Sequence, residues 1–373
     1  MTVALSSRDV SVTSQSLSDA LAGGPAAWES LEASAATPSP FMSWAWLRAW
    51  ADAAPAADLA ASQVLALSGA DGALQAVLPV MLRRVAFHRV PVTALTWATG
   101  DMGCPDNLDV LAASGASVEA FAPSLDALPW QLLILSNLAP GTDATPRLCD
   151  AMAARGYVVR RQRLWTCPYL ELPEDWDRYL GTLSGTRRQT VRRKERQLQR
   201  EHAMTITDYD QDRVDEGLRC LFSLHERRWQ GGAAFEHPSI RVLHRRFAEE
   251  LAARRRLWLS TLDIAGKPVA AWYGFAWGDT VYFYQSGRDP QWERQSVGLV
   301  LMGTMIRRAI ERGYRRFDFL RGDDPYKRQW TTTERCTEEI TIFRRGLRAG
   351  ALRALDAVGE LRARLSRKTE GTP

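Results

Sequence analysis

Apolar and polar positions follow one another along this chain in an order that occurs twice. In the first copy an aromatic helix, FMSWAWLRAWADAA at 41–54, precedes a hairpin pattern, VLALS-GADG-ALQAVLPVM. A helical stretch comes next, and then an apolar strand, WQLLILSNL at 130–138. In the second copy a helix over 242–255 precedes three strand patterns at 257–264, 269–277 and 281–286. The short links AGK and GDT between those strands predict hairpin turns. A helix over 297–312 follows, since Leu299, Met302, Ile306 and Ile310 recur with helical period and Gly313 stands at its end. The chain then runs into a strand at 317–320 and the polar segment DFLRGDDPYKRQW. A short lead-in strand is expected at 10–13, and an edge-like last strand at 338–344. Antiparallel strands interrupted by one helix that feeds a further strand give a mixed sheet in an α+β fold.

The repeat divides the chain into an N-terminal half over 1–165, a C-terminal half over 166–346 and a basic tail over 347–373. Two prolines in PYLELPEDW mark the junction. The two copies differ where their matched strands end. The first ends in Leu-Ser-Asn, and the second places Asp318, Arg321, Asp323, Tyr326 and Lys327 at and just past its end. One half therefore carries the chemistry and the other, degenerate, shapes a cleft. In the tail, Leu352, Leu355, Val358, Leu361 and Leu365 fall on one stripe, with Arg353, Arg362, Arg364 and Arg367 mostly elsewhere. This predicts a helix packed on the domain, with peripheral membrane contact as the second reading.

Composition narrows the classes. A chain of 373 residues suits two domains, and 46% hydrophobic with 24% charged residues is ordinary for a globular protein. No apolar run is long enough to span a bilayer, and the N-terminus lacks the basic-then-apolar order of a secretory signal. The five cysteines show no CxxC spacing and read as thiols, so a cytoplasmic location is expected. The net charge of +5 is mild, but TRRQTVRRKERQLQR at 186–200 holds seven basic residues and one Glu. Arg188, Arg192, Arg196 and Arg200 form one row there, whose mutual repulsion an acid or an anionic ligand should offset. No recognition motif accompanies this cluster, which argues against nucleic acid.

Three groupings carry candidate chemistry. Gln295-Ser296-Val297-Gly298 lies between a strand and a helix, where main-chain N–H groups and a glycine can cradle an anion. In the 318–330 segment, Asp318 is a base if it points into a cleft, and otherwise a strand-end partner of Arg321 or Arg316. Tyr326 can protonate a leaving group, and Lys327 can hold an anion or a carbonyl oxygen. In His225-Glu226-Arg227-Arg228-Trp229 a zinc motif is half present, but Trp229 stands where the second histidine belongs, so no metal is expected. His225 and Arg228, one helical turn apart, can instead line a pocket, or the helix face can simply pack on Trp229. No activated-serine elbow, Walker loop or dinucleotide fingerprint is present.

These residues resemble a known group. LHERRWQ, AGKPVAAWYGF, YFYQSGRDP, QSVGLVLMGTMIRRAIERGYRRFDFLRGDDPYKRQW and LSGTRRQTVRRKERQL resemble the acetyltransferase-like domain of the BioF2-like and CelD-like group. That group belongs to the GNAT superfamily and is related to the FemAB peptidyltransferases. The resemblance covers roughly residues 25–345 and is densest from 180 to 330. It implies two tandem GNAT-like halves, each a mixed, mostly antiparallel sheet flanked by helices. It implies transfer of an acyl group, other than an aminoacyl group, from acetyl-CoA or another acyl-CoA to a small-molecule amine acceptor, with no permanently bound cofactor. Gln295 and Gly298 match the superfamily's pyrophosphate turn, with Ser296 between them. Val300 replaces its last small residue, which leaves an acyl carrier protein as an alternative donor. Arg188 and Arg192 suit either a CoA phosphate or an acidic carrier. For the chemistry, the local reading assigns Asp318 as base, Tyr326 as acid, and Lys327 or a strand N–H to the oxyanion; His225, Arg228, Trp229 and Arg321 are expected at the acceptor. The names in the group point to envelope or exopolysaccharide (cellulose) biosynthesis. The competing expectations are aminoacyl transfer from charged tRNA and a non-catalytic accessory protein of a polysaccharide machine.

Overall fold

The structure, a computed structural model, describes residues 10–229 and 234–370, with side chains described as far as Gly359. The first nine residues, and the tail side chains Leu361, Arg362, Arg364, Leu365 and Arg367, lie outside the described residues. In chain order the strands are β1 (Val10–Ser16), β2 (Ser62–Gly69), β3 (Leu74–Phe87), β4 (Val90–Trp97), β5 (Leu111–Ala112), β6 (Leu132–Leu138) and β7 (Val158–Glu171). They continue with β8 (Met204–Asp208), β9 (Leu257–Ile264), β10 (Lys267–Trp277), β11 (Thr280–Arg288), β12 (Arg316–Asp318) and β13 (Glu334–Phe343).

The chain divides into two units. The first comprises Met1–Leu47, Ala54–Leu164 and Thr337–Pro373; the second comprises Arg48–Ala53 and Trp165–Cys336. In the first unit the strand order is β1-β2-β3-β4-β6-β13. Neighbours are antiparallel as far as β4, then β6 runs parallel to β4 and β13 antiparallel to β6. In the second unit the order is β8-β9-β10-β11-β12-β7. Here too the first four strands are antiparallel, β12 is parallel to β11, and β7 is antiparallel to β12. The duplicated α+β pattern of the sequence is thus a duplicated sheet topology.

Two expectations about these elements need correction. The last strand is not an edge of the second half. β13 pairs with β6 in the first unit, and Ile340 and Ile342 are fully buried. The helix Leu347–Glu370 follows it there, packing Ala349 and Leu352 with Val92, Ala94, Leu132 and Phe343. The boundary expected at 346 therefore falls at Cys336. The apolar run ITIF, with alternate residues facing opposite ways, needs neighbours on both faces and finds them in a sheet interior. The second correction is an addition: the helical stretch expected before the strand at 130–138 is present as the helix Phe121–Ala127, but a strand the pattern did not show, β4, comes before it. His88 and Arg89 close the β3–β4 hairpin, both with positive φ (48° and 68°). Such a turn is ordinarily written Asn-Gly, so the sequence hides it.

The second unit places the site. Ala265 and Gly266, at φ 49° and 74°, close β9–β10, and Gly278 at φ 57° serves β10–β11. A register shift between Tyr273 and Gly274 bends β10 against β11, and a Cβ at Gly274 would lie 2.1 Å from the Tyr282 carbonyl oxygen, so only glycine fits. The helix Val297–Glu311 lays Val300, Leu301, Met305 and Ile306 on the sheet against Trp272, Phe283 and Phe317. Each such fully buried side chain contributes roughly 1.5–3 kcal/mol. β11 and β12 stay paired only from Thr280↔Arg316 to Tyr282↔Asp318, while β11 continues to Arg288. Beyond that point the two strands part. No described helix is long and apolar enough to cross a membrane.

Candidate active site

A cavity of about 280 Å³ opens where β11 leaves β12. Ser286, Gly287 and Arg288 of β11 form one side, and Ser296, Val297 and Gly298 form its end at the start of the long helix. Tyr326 and Trp330 stand opposite, joined by Arg228 and by Arg187 from the helix Gly185–Glu201. All of these residues belong to the second unit.

The helix start is built to leave donors open. Ser296 is left-handed (φ 60°), and its side chain makes no capping bond. Leu299 and Val300 N–H groups bond back to the Ser296 carbonyl, whereas those of Val297 and Gly298 precede any intrahelical acceptor. A Cβ at Gly298 would meet only Arg288 Cδ, at 3.6 Å. Neither packing nor backbone angle demands glycine here, so the room it leaves faces the cavity. The end of a helix with uncapped amides attracts negative charge. Val300 is buried among the helix–sheet contacts and does not line the cavity, so its departure from the expected small residue leaves this end unchanged. Gln295 sits behind the turn with its Oε1 buried and without a hydrogen-bond partner, and it is not part of the cavity wall.

Glycine also brings in Arg228. A Cβ at Gly287 would lie 2.5 Å from the backbone nitrogen of His225, so its absence lets the helix Val214–Arg228 close on β11. Arg228 then donates from Nη1 to Ser286 Oγ at 3.0 Å and lies 5.5 Å over the Tyr326 ring. Tyr326 meets Phe283 edge-on at 6.3 Å, in the gap between the parted strands. Burial, reinforced by the Asp324 carboxylate, raises its phenol pKa, and no described residue hydrogen-bonds its hydroxyl. Tyr326 therefore stays protonated at neutral pH with its proton free to be given.

The structure sets other expected residues elsewhere. Asp318 is fully buried; its carboxylate accepts from Leu320 N–H at 2.8 Å and is ion-paired with Arg335. It is no cleft-facing base. It holds the left-handed turn at Leu320 (φ 55°) by which the chain departs from β11. Lys327 donates from Nζ to the Arg321 carbonyl at 2.6 Å and pairs with Asp324 at 3.3 Å, so it braces the loop under Tyr326 and is not an oxyanion donor. His225 is 1% exposed and packs edge-on against Phe235 at 5.0 Å, a core histidine whose pKa burial and Arg228 depress to about 4. Trp229 is exposed and carries Arg228 at 4.7 Å, outside the cavity. Arg321 lies over Trp165. Arg188 does not line the cavity, and Arg192 is on the exposed face, paired with Asp177 at 2.6 Å.

Arg187 stands outside the row from Arg188 to Arg200 and yet lines the cavity. Val191 and Leu198 are the buried residues of its helix, and Arg187 lies one turn before Val191 on that same face. The row from Arg188 to Arg200 is one position out of phase. The apolar residues inside the basic run carried the signal. Among the described residues no cluster of His, Cys, Asp or Glu is arranged to hold a metal.

Residues 185–328 match the family model described as an acetyltransferase (GNAT) domain. The second unit carries a GNAT domain, and the first unit repeats its strand order. That match spans most of the cavity wall just described and assigns acyl-group transfer, with an acyl-CoA as the general co-substrate, to the second unit. Among solved structures, FemX is similar over 85% of this chain and 95% of its own, with a TM-score of 0.56 and 12% identity. L-PGS from Bacillus licheniformis is similar over 91% and 97%, with a TM-score of 0.54 and 11% identity. A conserved protein of unknown function from Bacteroides thetaiotaomicron is similar over 86% and 98%, with a TM-score of 0.57 and 12% identity. At these identities the likeness is one of fold. No curated protein matches the chain in sequence.

Proposed function

We propose that the protein is an N-acyltransferase that moves a non-aminoacyl group from acyl-CoA to a small-molecule amine. The observation that carries this reading is the gap between β11 and β12 ending on the open amides of Val297 and Gly298. A pantetheine arm fits beside the unpaired edge of β11, with its pyrophosphate at the helix start. Gly298 allows the close approach that a side chain would obstruct.

The reaction needs few groups. The neutral amine attacks the thioester carbonyl carbon, a C–N bond forms, and a main-chain N–H of β11 past Tyr282 takes the oxyanion. The C–S bond then breaks; Tyr326 protonates the departing thiolate, and the proton lost from the amine nitrogen passes through solvent to restore the phenol. Direct transfer requires no covalent enzyme intermediate. Arg228, fixed by Ser286 and lying over the Tyr326 ring, keeps that ring in place.

A CoA donor is favoured over charged tRNA by the state of the basic helix. Arg192 is paired with Asp177 and Arg200 with Glu201, and Lys194 donates to the Arg294 carbonyl. Part of that charge is already engaged within the protein. Release of free thiol from acetyl-CoA and longer acyl-CoAs, followed with a panel of amines, tests the reading. Amine-dependent thiol release supports it. Release only from an acyl carrier protein moves the donor to the carrier, and transfer only from charged tRNA overturns it.

A further inference from the structure

The second unit contains a larger cavity, of about 690 Å³, adjoining the first. Arg187, Gln329 and Trp330 line both. The remaining wall of the larger one mixes apolar surface from Leu170 and Tyr179 with the hydroxyls of Ser184, Thr186 and Thr332.

Its charged residues are not equivalent. Arg328 is ion-paired with Asp323 and Glu334. Glu171 is paired with Arg316 at 2.9 Å, and Arg178 faces Glu174 at 3.5 Å in solvent. Arg187 has no carboxylate partner among the described residues. Its guanidinium lies over the Trp330 ring at 4.7 Å, and its Nε is buried with no acceptor. Burial lowers its pKa, the mark of a charge short of compensation. Trp330 is itself fixed, buried to 3% exposure with its carbonyl accepting from the Tyr179 hydroxyl at 2.9 Å. Stacking therefore holds the plane of the guanidinium and leaves its edge, a two-pronged donor matched to a carboxylate or phosphate, for a ligand.

We propose that this cavity seats the amine acceptor and selects amines that also carry a carboxylate or phosphate, with Arg187 binding the anion. The proposal rests on the reading of the smaller cavity as the thioester site. Because the two cavities meet at Arg187, Gln329 and Trp330, a ligand anchored at Arg187 can present its amine to the smaller one. The hydroxyl-lined wall suits a polar acceptor body.

Calorimetry on the full chain separates the two readings, because donor and acceptor are titrated independently. The probes are CoA alone, then alanine (amine with carboxylate), glucosamine 6-phosphate (amine with phosphate) and glucosamine (amine without an anion). At least one anionic amine is expected to bind at least tenfold more tightly than glucosamine, and which one binds tells carboxylate from phosphate. Arg187→Gln is expected to weaken that ligand tenfold or more. Thr332→Trp, an exposed position on the larger cavity only, is expected to abolish amine binding and leave CoA binding unchanged. Equal binding of glucosamine, binding by none of the amines, or anionic-amine binding indifferent to Arg187→Gln overturns the proposal. So does Thr332→Trp leaving amine binding intact while Arg187→Gln removes CoA binding, since Arg187 would then serve the donor. Failure of CoA to bind while an anionic amine does sinks the thioester reading alone.

Discussion

Asp318 and Arg335 form an ion pair in the second unit, with the carboxylate wholly buried and the guanidinium largely so. The same carboxylate receives the Leu320 N–H, so one side chain both anchors β12 and turns the chain away from β11. A charge held in this way shapes the gap and does not work in it. Asp318→Asn removes the charge facing Arg335 and is expected to lower stability by about 3–5 kcal/mol. Urea unfolding measures this, and turnover per folded molecule should fall far less. A general base would show the reverse, a 10²-fold or larger loss of turnover with little change in stability.

Tyr326→Phe removes the proton donor without emptying the gap. Turnover is expected to fall by about 10²–10⁴-fold with acyl-CoA affinity unchanged. Since burial raises the phenol pKa, the wild-type rate should show no alkaline decline from Tyr326 near pH 10. It should rise with pH only as far as the acceptor amine deprotonates. A variant that keeps wild-type turnover contradicts the assignment.

Gly298 is retained against the preference of its own helix. Alanine in a helix is favoured over glycine by about 1 kcal/mol, and the nearest atom to the added Cβ is 3.6 Å away. Gly298→Ala is therefore expected to raise the melting temperature while weakening acyl-CoA binding. A melting temperature that falls would show that the glycine serves packing.

Acid should loosen the second unit through His225. Its pKa is about 4 when folded against about 6.5 unfolded, so between these values the unfolded chain binds a proton that the folded chain refuses. The stability it contributes is present above pH 6.5, is lost as pH falls toward 4, and is constant below. The loss amounts to at most about 3 kcal/mol. His244, depressed to about 3 by burial, acts in the same direction. Urea unfolding at pH 7 and pH 4.5 measures the slope, and His225→Phe should flatten it. An unchanged slope in that variant would place the acid sensitivity elsewhere.

Much of the second unit is legible in its local patterns. The helix Val297–Glu311 announces itself by period, and the turns at Gly266 and Gly278 by their glycines. Ser296, Gly298, Arg228 and Tyr326 come to one cavity because each lies beside a feature readable nearby, a helix start or a strand end. What local pattern does not hold is pairing at a distance. Asp318 reads as outward-facing because its partner Arg335 stands 17 residues on, past the short helix Pro325–Arg328. Lys327 is likewise spent on a carbonyl in its own loop. Arg187 is obscured by a run of arginines spread over more than one helical face, and only the positions of Val191 and Leu198 tell which face turns inward. β13 joins the first unit because its partner β6 lies about two hundred residues earlier, a separation no local pattern records.

The most direct test of the account is a calorimetric titration of acetyl-CoA into the wild-type protein and into Gly298→Trp. Saturable one-site binding to the wild type is expected, with its loss in Gly298→Trp and a melting temperature showing that the variant remains folded. No binding to the wild type, or equal binding to both, would contradict the placement of the thioester between β11 and β12.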